Sequence, residues 1–144
     1  MALEDQELER VVALKQMPLF RYIPFETVLE VARAAQPRTY LAGEQVIAAA
    51  AGRQELLILE TGLLSVEHAG GASTLAAPAC LGEAALVGEP RPWPKLIALE
   101  DCRIWFLRAA LFQELCQAHP EIAIELCRLL ARRVREANGG VPPG

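Results

Sequence analysis

Few residues in this chain have the types and spacing that chemistry requires. Its two histidines are His68 and His119, whereas a metal-dependent β-roll enzyme needs clustered histidines plus a carboxylate on adjacent strands. His119 falls in a helical stretch. His68 is the sole strand candidate for an axial haem ligand, and beside Gly70-Gly71 it reads as a solvated hairpin residue. Cys80, Cys102, Cys116 and Cys127 show no C-x-x-C spacing, and three of them fall in apolar patterns, so they read as reduced, buried packing residues. Neither a G-x-S-x-G elbow nor a Walker loop is present. The pair Gly82-Glu83, taken alone, is a turn before a helix. The expectation is a protein that is not an enzyme and that holds no metal and no cofactor.

The charge pattern narrows the partners. A net charge of −4 with dispersed basic residues lacks the electrostatic footprint of a nucleic-acid binder. The exception is Arg132, Arg133 and Arg135, which read as the solvated, cationic last turn of a helix. No basic start followed by an apolar run marks a signal peptide, and no apolar run approaches the roughly 18 residues of a membrane helix. The expected compartment is the cytoplasm, with no membrane and no direct nucleic-acid contact. The 144 residues suffice for one core and one domain.

The elements that must position any site follow from periodicity. Glu4 to Leu14 carries Leu8, Val11, Val12 and Leu14 at helical spacing with acids in its first turn, and Pro18 stops it. Pro24 to Ala35 predicts a second helix, with Pro37 just beyond its end. From Thr39 to Leu107 the pattern turns to short β-type runs: Thr39-Tyr40-Leu41, Gln45-Val46-Ile47, Leu56 to Leu59, Leu63 to Val66, Lys95 to Ala98 and Arg103 to Leu107. Many short strands at close spacing predict an antiparallel roll or barrel. The alanine-rich run Ile47 to Ala51 reads as a strand entering a turn at Gly52. Ala109 to Ala118 and Glu121 to Ala137 return to helical spacing, with Pro120 at a first helical position. In the last helix Ile122, Ala123, Leu126, Cys127, Leu129, Leu130 and Val134 share one broad side. Asn138 and Gly139 stop it, and 138–144 reads as a flexible tail.

Helices, a short-stranded roll, then helices, together with ordered local motifs, resemble the cyclic nucleotide-binding domain family of the catabolite-activator and protein kinase A regulatory-subunit type. Met17-Pro18-Leu19-Phe20 matches the end of the family's lead-in helix. Gly43-Glu44 and Leu56 to Gly62 match its strands, although Ala50 and Ala51 stand where a Gly-Asp turn is usual, which shifts that turn toward Gly52. Leu81-Gly82-Glu83-Ala84-Ala85-Leu86 matches the start of the family's phosphate-binding cassette. Ala98, Asp101-Cys102, Ile104 to Leu107, Leu111-Phe112 and His119-Pro120 match its closing signature in order and spacing. The resemblance covers about residues 14 to 137. It implies a mainly β domain over 1–137. Its parts are N-terminal helices over 1–36, an antiparallel jelly-roll-like β-roll (a double-stranded β-helix) over 39–107 with the cassette at 81–95, and C-terminal helices over 109–137.

The resemblance also implies a site and a function. A cyclic nucleotide presents an anionic phosphodiester, a ribose hydroxyl and an aromatic base. In the family a glycine permits close backbone approach, the next glutamate accepts the ribose hydroxyl, and backbone N–H groups of the short cassette helix face the phosphate. Gly82, Glu83, Ala84 and Ala85 take these roles. The family's arginine stands one step later than Arg91, at the position occupied here by Pro92. Two arrangements account for this: a deletion in Val87-Gly88-Glu89 compensated near Trp93, or a cassette that has lost its phosphate clamp. Lys95, near the family's Ser/Thr position, supplies a point charge. Trp93 replaces a small residue and either fills part of the pocket or is a surface residue held by prolines. Pro90, Pro92 and Pro94 remove three backbone donors.

The implied function is a regulatory module that senses cAMP or cGMP and signals by repositioning its C-terminal helices. The alternative is a cassette that binds no nucleotide and serves as a docking or dimerisation scaffold. The implied partners are a cyclic nucleotide, a second copy through the C-terminal helix, or a separate output protein.

Overall fold

The computed structural model describes residues 5–47, 52–88 and 91–139. Two helices come first, α1 (Asp5–Lys15) and α2 (Phe25–Ala34). They are tied together by Arg33, whose Nε and Nη2 donate to the two carboxylate oxygens of Glu7 at 3.3 and 3.0 Å. The connection between them is core and not surface loop: Met17, Leu19, Phe20 and Ile23 are all essentially fully buried. Lys15 closes it by donating from Nζ to the Ile23 carbonyl at 2.5 Å.

Among the described residues ten strands follow: β1 (Gln36–Tyr40), β2 (Gln45–Ile47), β3 (Gly52–Arg53), β4 (Glu55–Thr61), β5 (Leu63–His68), β6 (Gly71–Ala76), β7 (Ala79–Leu81), β8 (Arg91–Pro92), β9 (Lys95–Ala98) and β10 (Cys102–Arg108). One sheet has the order β1-β10-β4-β7, the second β2-β9-β5-β6, and β3 pairs with β8 in a two-stranded ribbon. All pairings are antiparallel. A 3-10 turn (Glu83–Leu86) sits between β7 and β8, and the chain finishes with α3 (Ala109–Ala118) and α4 (Pro120–Ala137). The expected antiparallel roll with helices at both ends is thus present, as two four-stranded sheets.

The central strands read as continuous apolar runs because both of their faces are covered. Along β4, Leu57 and Leu59 enter the space between the sheets, while Leu56 and Ile58 face the helices. Along β10, Ile104 and Phe106 point inward, and Trp105 and Leu107 meet the helical layer. The inner core is completed by Val46, Ile47, Leu64, Leu96 and Ala98. The outer core joins Val11, Leu14, Phe20, Val28, Phe112, Ile122 and Leu126 to the first sheet. Gly62, at φ +108°, makes the tight β4–β5 connection: a Cβ there would lie 2.6 Å from the Cys102 sulfur and 2.7 Å from the Asp101 carbonyl oxygen.

Several local expectations change. The roll begins at Gln36 and not Thr39, and Pro37 lies within β1, paired with Trp105. This is tolerated because β1 is an edge strand, where a missing N–H costs no ladder bond. Leu41 falls outside the strand. Gly52 belongs to β3 and not to a turn, while Ala48 to Ala51 lie outside the described residues. β6 and β7 had no clear sequence signal: Gly-Ala-Ser-Thr-Leu-Ala is small and mostly exposed, and β7 is three residues long. Cys127 is exposed and not a packing residue; all four cysteines are free thiols. Asn138 and Gly139 close α4, and the rest of the expected tail, Gly140 to Gly144, lies outside the described residues. Among the described residues no helix is long and apolar enough to cross a membrane.

Candidate cassette and its partner helix

The candidate site starts where β7 ends. β7 pairs with β4 through Ala79, Cys80 and Leu81, and the chain then reverses at Gly82, whose φ is +97°. A Cβ at this position would lie 2.7 Å from the Glu55 carbonyl oxygen and 2.8 Å from Cζ2 of Trp93. Glycine is therefore required twice, by conformation and by space. The following Glu83–Leu86 segment is a single 3-10 turn, so it lacks the aligned peptide dipoles of a long α-helix. It is pinned at its end: Leu86 is fully buried, and its carbonyl accepts a hydrogen bond from Gln113 Nε2 of α3 at 3.2 Å.

Glu83 is 5 % exposed. Its carboxylate is held by Arg133 of α4, which donates from Nη1 to Oε2 at 3.2 Å and from Nη2 to Oε1 at 3.0 Å. A two-pronged guanidinium–carboxylate contact satisfies both oxygens of a buried acid. The hydrogen bonds to Glu83 push the Arg133 pKa up further. Beside the pair, the Cys80 thiol donates to the Met17 thioether. Burial, reinforced by the nearby Glu83 charge, holds the Cys80 pKa well above the usual thiol range. A cavity of about 210 Å³ adjoins this cluster, walled by Met17, Leu19, Cys80, Glu83, Leu129 and Arg133.

The expected site residues do not all meet. Gly82 and Trp93 come together, while the carboxylate of Glu83, the next residue, turns to Arg133. Trp93 is 5 % exposed and belongs to the inner core, so it is a buried wall and not a surface residue held by prolines. The backbone of Arg91 lies in β8, in register with Arg53. The side chains of Arg91, Ala84 and Ala85 lie outside the described part of the structure. Lys95 shares the outward face of β9 with Ile97, opposite Leu96 and Ala98. Its ammonium is 3.8 Å from Glu67, its cross-strand partner on β5. His68 is exposed at the end of β5, and His119 sits at the α3–α4 junction between Glu30 and Glu121. Among the described residues no group of three metal-capable side chains occurs.

Arg133 is the residue that sequence reasoning passed over as part of a solvated face. A signal existed: Ile122, Leu126 and Leu129 are buried on one seam of α4, and Arg133 continues that seam at the next four-residue step.

Comparison with known families decides the affiliation. The family model described as cyclic nucleotide-binding domain matches residues 37–119, more than half of the chain and all of the cassette. The chain belongs to the cyclic nucleotide-binding domain family. No curated protein matches it. Among solved structures, this cyclic nucleotide-binding domain is similar to the N-terminal domain of a transcriptional regulator from Streptomyces coelicolor. The TM-score is 0.79 at 21 % identity, over 92 % of this chain and 96 % of that one. It is also similar to the catabolite activator protein of Thermus thermophilus, with TM-score 0.72 at 29 % identity, over 84 % of this chain and 60 % of that one. A third similar structure is the regulatory domain of Toxoplasma gondii PKA, co-crystallised with cAMP. There the TM-score is 0.67 at 21 % identity, over 80 % of this chain and 46 % of that one. In this cyclic nucleotide-binding domain Arg133 lies beyond the family match, so the charge pair joins the matched roll to a helix outside it.

Proposed function

We propose that the domain is a regulatory sensor of a cyclic nucleotide, cAMP or cGMP, and that it signals through the position of α4. The observation that carries this reading is the buried, two-pronged Glu83–Arg133 pair. Glu83 is the cassette residue suited to accept a ribose hydroxyl, and both of its oxygens are held by Arg133 of α4. A nucleotide that seats its hydroxyl on Glu83 competes with Arg133. Half of the Arg133 side chain is exposed, so the released guanidinium is readily hydrated and the exchange is not prohibitive. Binding then favours the state in which α4 is let go, and the shift is limited by the ligand's differential affinity for the two states.

In this reading Gly82 keeps the backbone open, the N–H groups of Ala84 and Ala85 face the phosphate singly, and Arg91 supplies the cation. Trp93, seated on Gly82, forms the apolar wall next to the base or sugar. Lys95 is engaged by Glu67 and takes a lesser part.

The test is calorimetric titration of the full chain with cAMP and cGMP, alongside Arg133→Ala. Removing the competitor should tighten binding, because coupling between ligand and latch is reciprocal. Absence of heat and of any thermal shift at millimolar nucleotide, in both proteins, would overturn the reading.

One observation favours a second reading. Trp93 packs against Gly82 with no room to spare, which suits a closed cassette in a docking scaffold. In that case Trp93→Ala would not open the domain to nucleotide either.

A further inference from the structure

The outward face of α4 carries a feature that the cassette does not use. Arg128, Arg132, Arg133 and Arg135 crowd into a short stretch of a chain whose net charge is −4. Arg133 turns inward to Glu83. The other three line a groove of about 660 Å³ between α4 and Tyr22, which projects from the α1–α2 connection. The apolar wall of the groove is solvent-facing: Tyr22 is 71 % exposed and Val134 50 %. Arg128 is held at 2.5 Å by Glu125, which is buried. Arg132 and Arg135 have no ion-pair partner among the described residues.

We propose that this groove docks a short amphipathic segment of a partner protein, with apolar side chains against Tyr22 and Val134 and carboxylates toward Arg128, Arg132 and Arg135. Charge complementarity selects this occupant. A parallel, in-register pairing of α4 with a second copy brings like arginines together, which costs energy. A nucleic acid needs an extended array of cations, and three guanidinium groups flanking an apolar wall do not form one. A bilayer is flat and does not enter a concave groove. Tyrosine is a suitable anchor because it buries a large rigid area and keeps a polar tip. The exposed arginines select the partner's charge more than they add affinity. None of the residues lining the groove belongs to the cassette, so docking there does not require nucleotide.

The experiment is fluorescence anisotropy of the full chain with a labelled synthetic helical peptide that carries leucines on one face flanked by glutamates, and with its lysine-for-glutamate counterpart. The glutamate peptide should bind saturably and more weakly as salt rises. The lysine peptide should bind at least about tenfold more weakly. Tyr22→Ala and the pair Arg132→Glu with Arg135→Glu, whose far-UV spectra should match the parent, should each weaken the glutamate peptide about tenfold. Equal affinity for both peptides, no binding, or indifference to the groove variants would overturn the proposal. A dimer in sedimentation that Val134→Asp dissociates would assign the face to a second copy instead. Duplex DNA or phosphatidylserine vesicles that bind the parent but not the double arginine variant, where the peptide fails, would assign it to those surfaces.

Discussion

The edge of the Trp93 indole lies against Gly82 so closely that a Cβ on residue 82 would fall 2.8 Å from Cζ2 and 3.0 Å from Cη2. The Glu55 carbonyl oxygen, at 2.7 Å from the same point, closes the other side. The start of the cassette is therefore a three-way contact of turn backbone, β4 backbone and an aromatic ring. From it follows the first prediction. Gly82→Ala adds left-handed strain to overpacking and should cost about 2–5 kcal/mol. Trp93→Ala in the same chain should not restore the loss, because the nearest obstacle is backbone. Urea denaturation of the two variants checks this; full recovery in the double variant would show that the ring alone sets the constraint.

Arg133→Ala leaves a buried carboxylate without its partner. The expected loss is about 1–3 kcal/mol, discounted from the cost of breaking a fully buried pair because half of the arginine side chain is solvated. Arg133→Lys should recover only part of it, since an ammonium cannot span both oxygens. A double-mutant cycle with Glu83→Gln measures the coupling, and a coupling near zero would show that the pair does not hold α4 to the cassette.

The ligand contacts divide by chemistry. Glu83→Ala should weaken a ribose cyclic nucleotide and leave a 2′-deoxy analogue nearly unaffected. Arg91→Ala should lose about 1.5–3 kcal/mol, the range for hydrogen bonds to charged groups, or about tenfold to hundredfold in affinity. Lys95→Ala should lose little, because that ammonium faces Glu67. Titration calorimetry on the three variants decides the matter, and binding that survives Arg91→Ala but collapses in Lys95→Ala would move the phosphate clamp.

The thiols give a pH prediction. Burial raises the pKa of Cys80, Cys102 and Cys116. The folded chain therefore keeps protons that the unfolded chain gives up above about pH 9. Above that pH the unfolded state binds fewer protons, so stability should fall as pH rises; below it these groups add no slope. Cys80→Ala, less stable throughout, should show a shallower decline in chemical denaturation between neutral and alkaline pH. In the native protein a thiol reagent should modify exposed Cys127 first, and all four sulfurs should react after unfolding.

The order of elements was legible in the sequence because each element's burial leaves a local record. Helical spacing marked α1 to α4, with Pro120 at a helix start, and apolar runs marked β4, β5, β9 and β10. The cassette was legible as ordered motif residues around Gly82-Glu83. Strand β6 was not, since small, mostly exposed residues carry no alternation, nor was β7, which is only three residues long, and Pro37 read as a stop because edge position is not encoded locally. Only the tertiary structure placed Trp93 on Gly82, turned Lys95 away to Glu67, and brought Arg133 across fifty residues of chain to Glu83. Periodicity reports that a face is buried. Which side chain meets it depends on how the roll closes and how α4 lies against it, and those are properties of packing over long range.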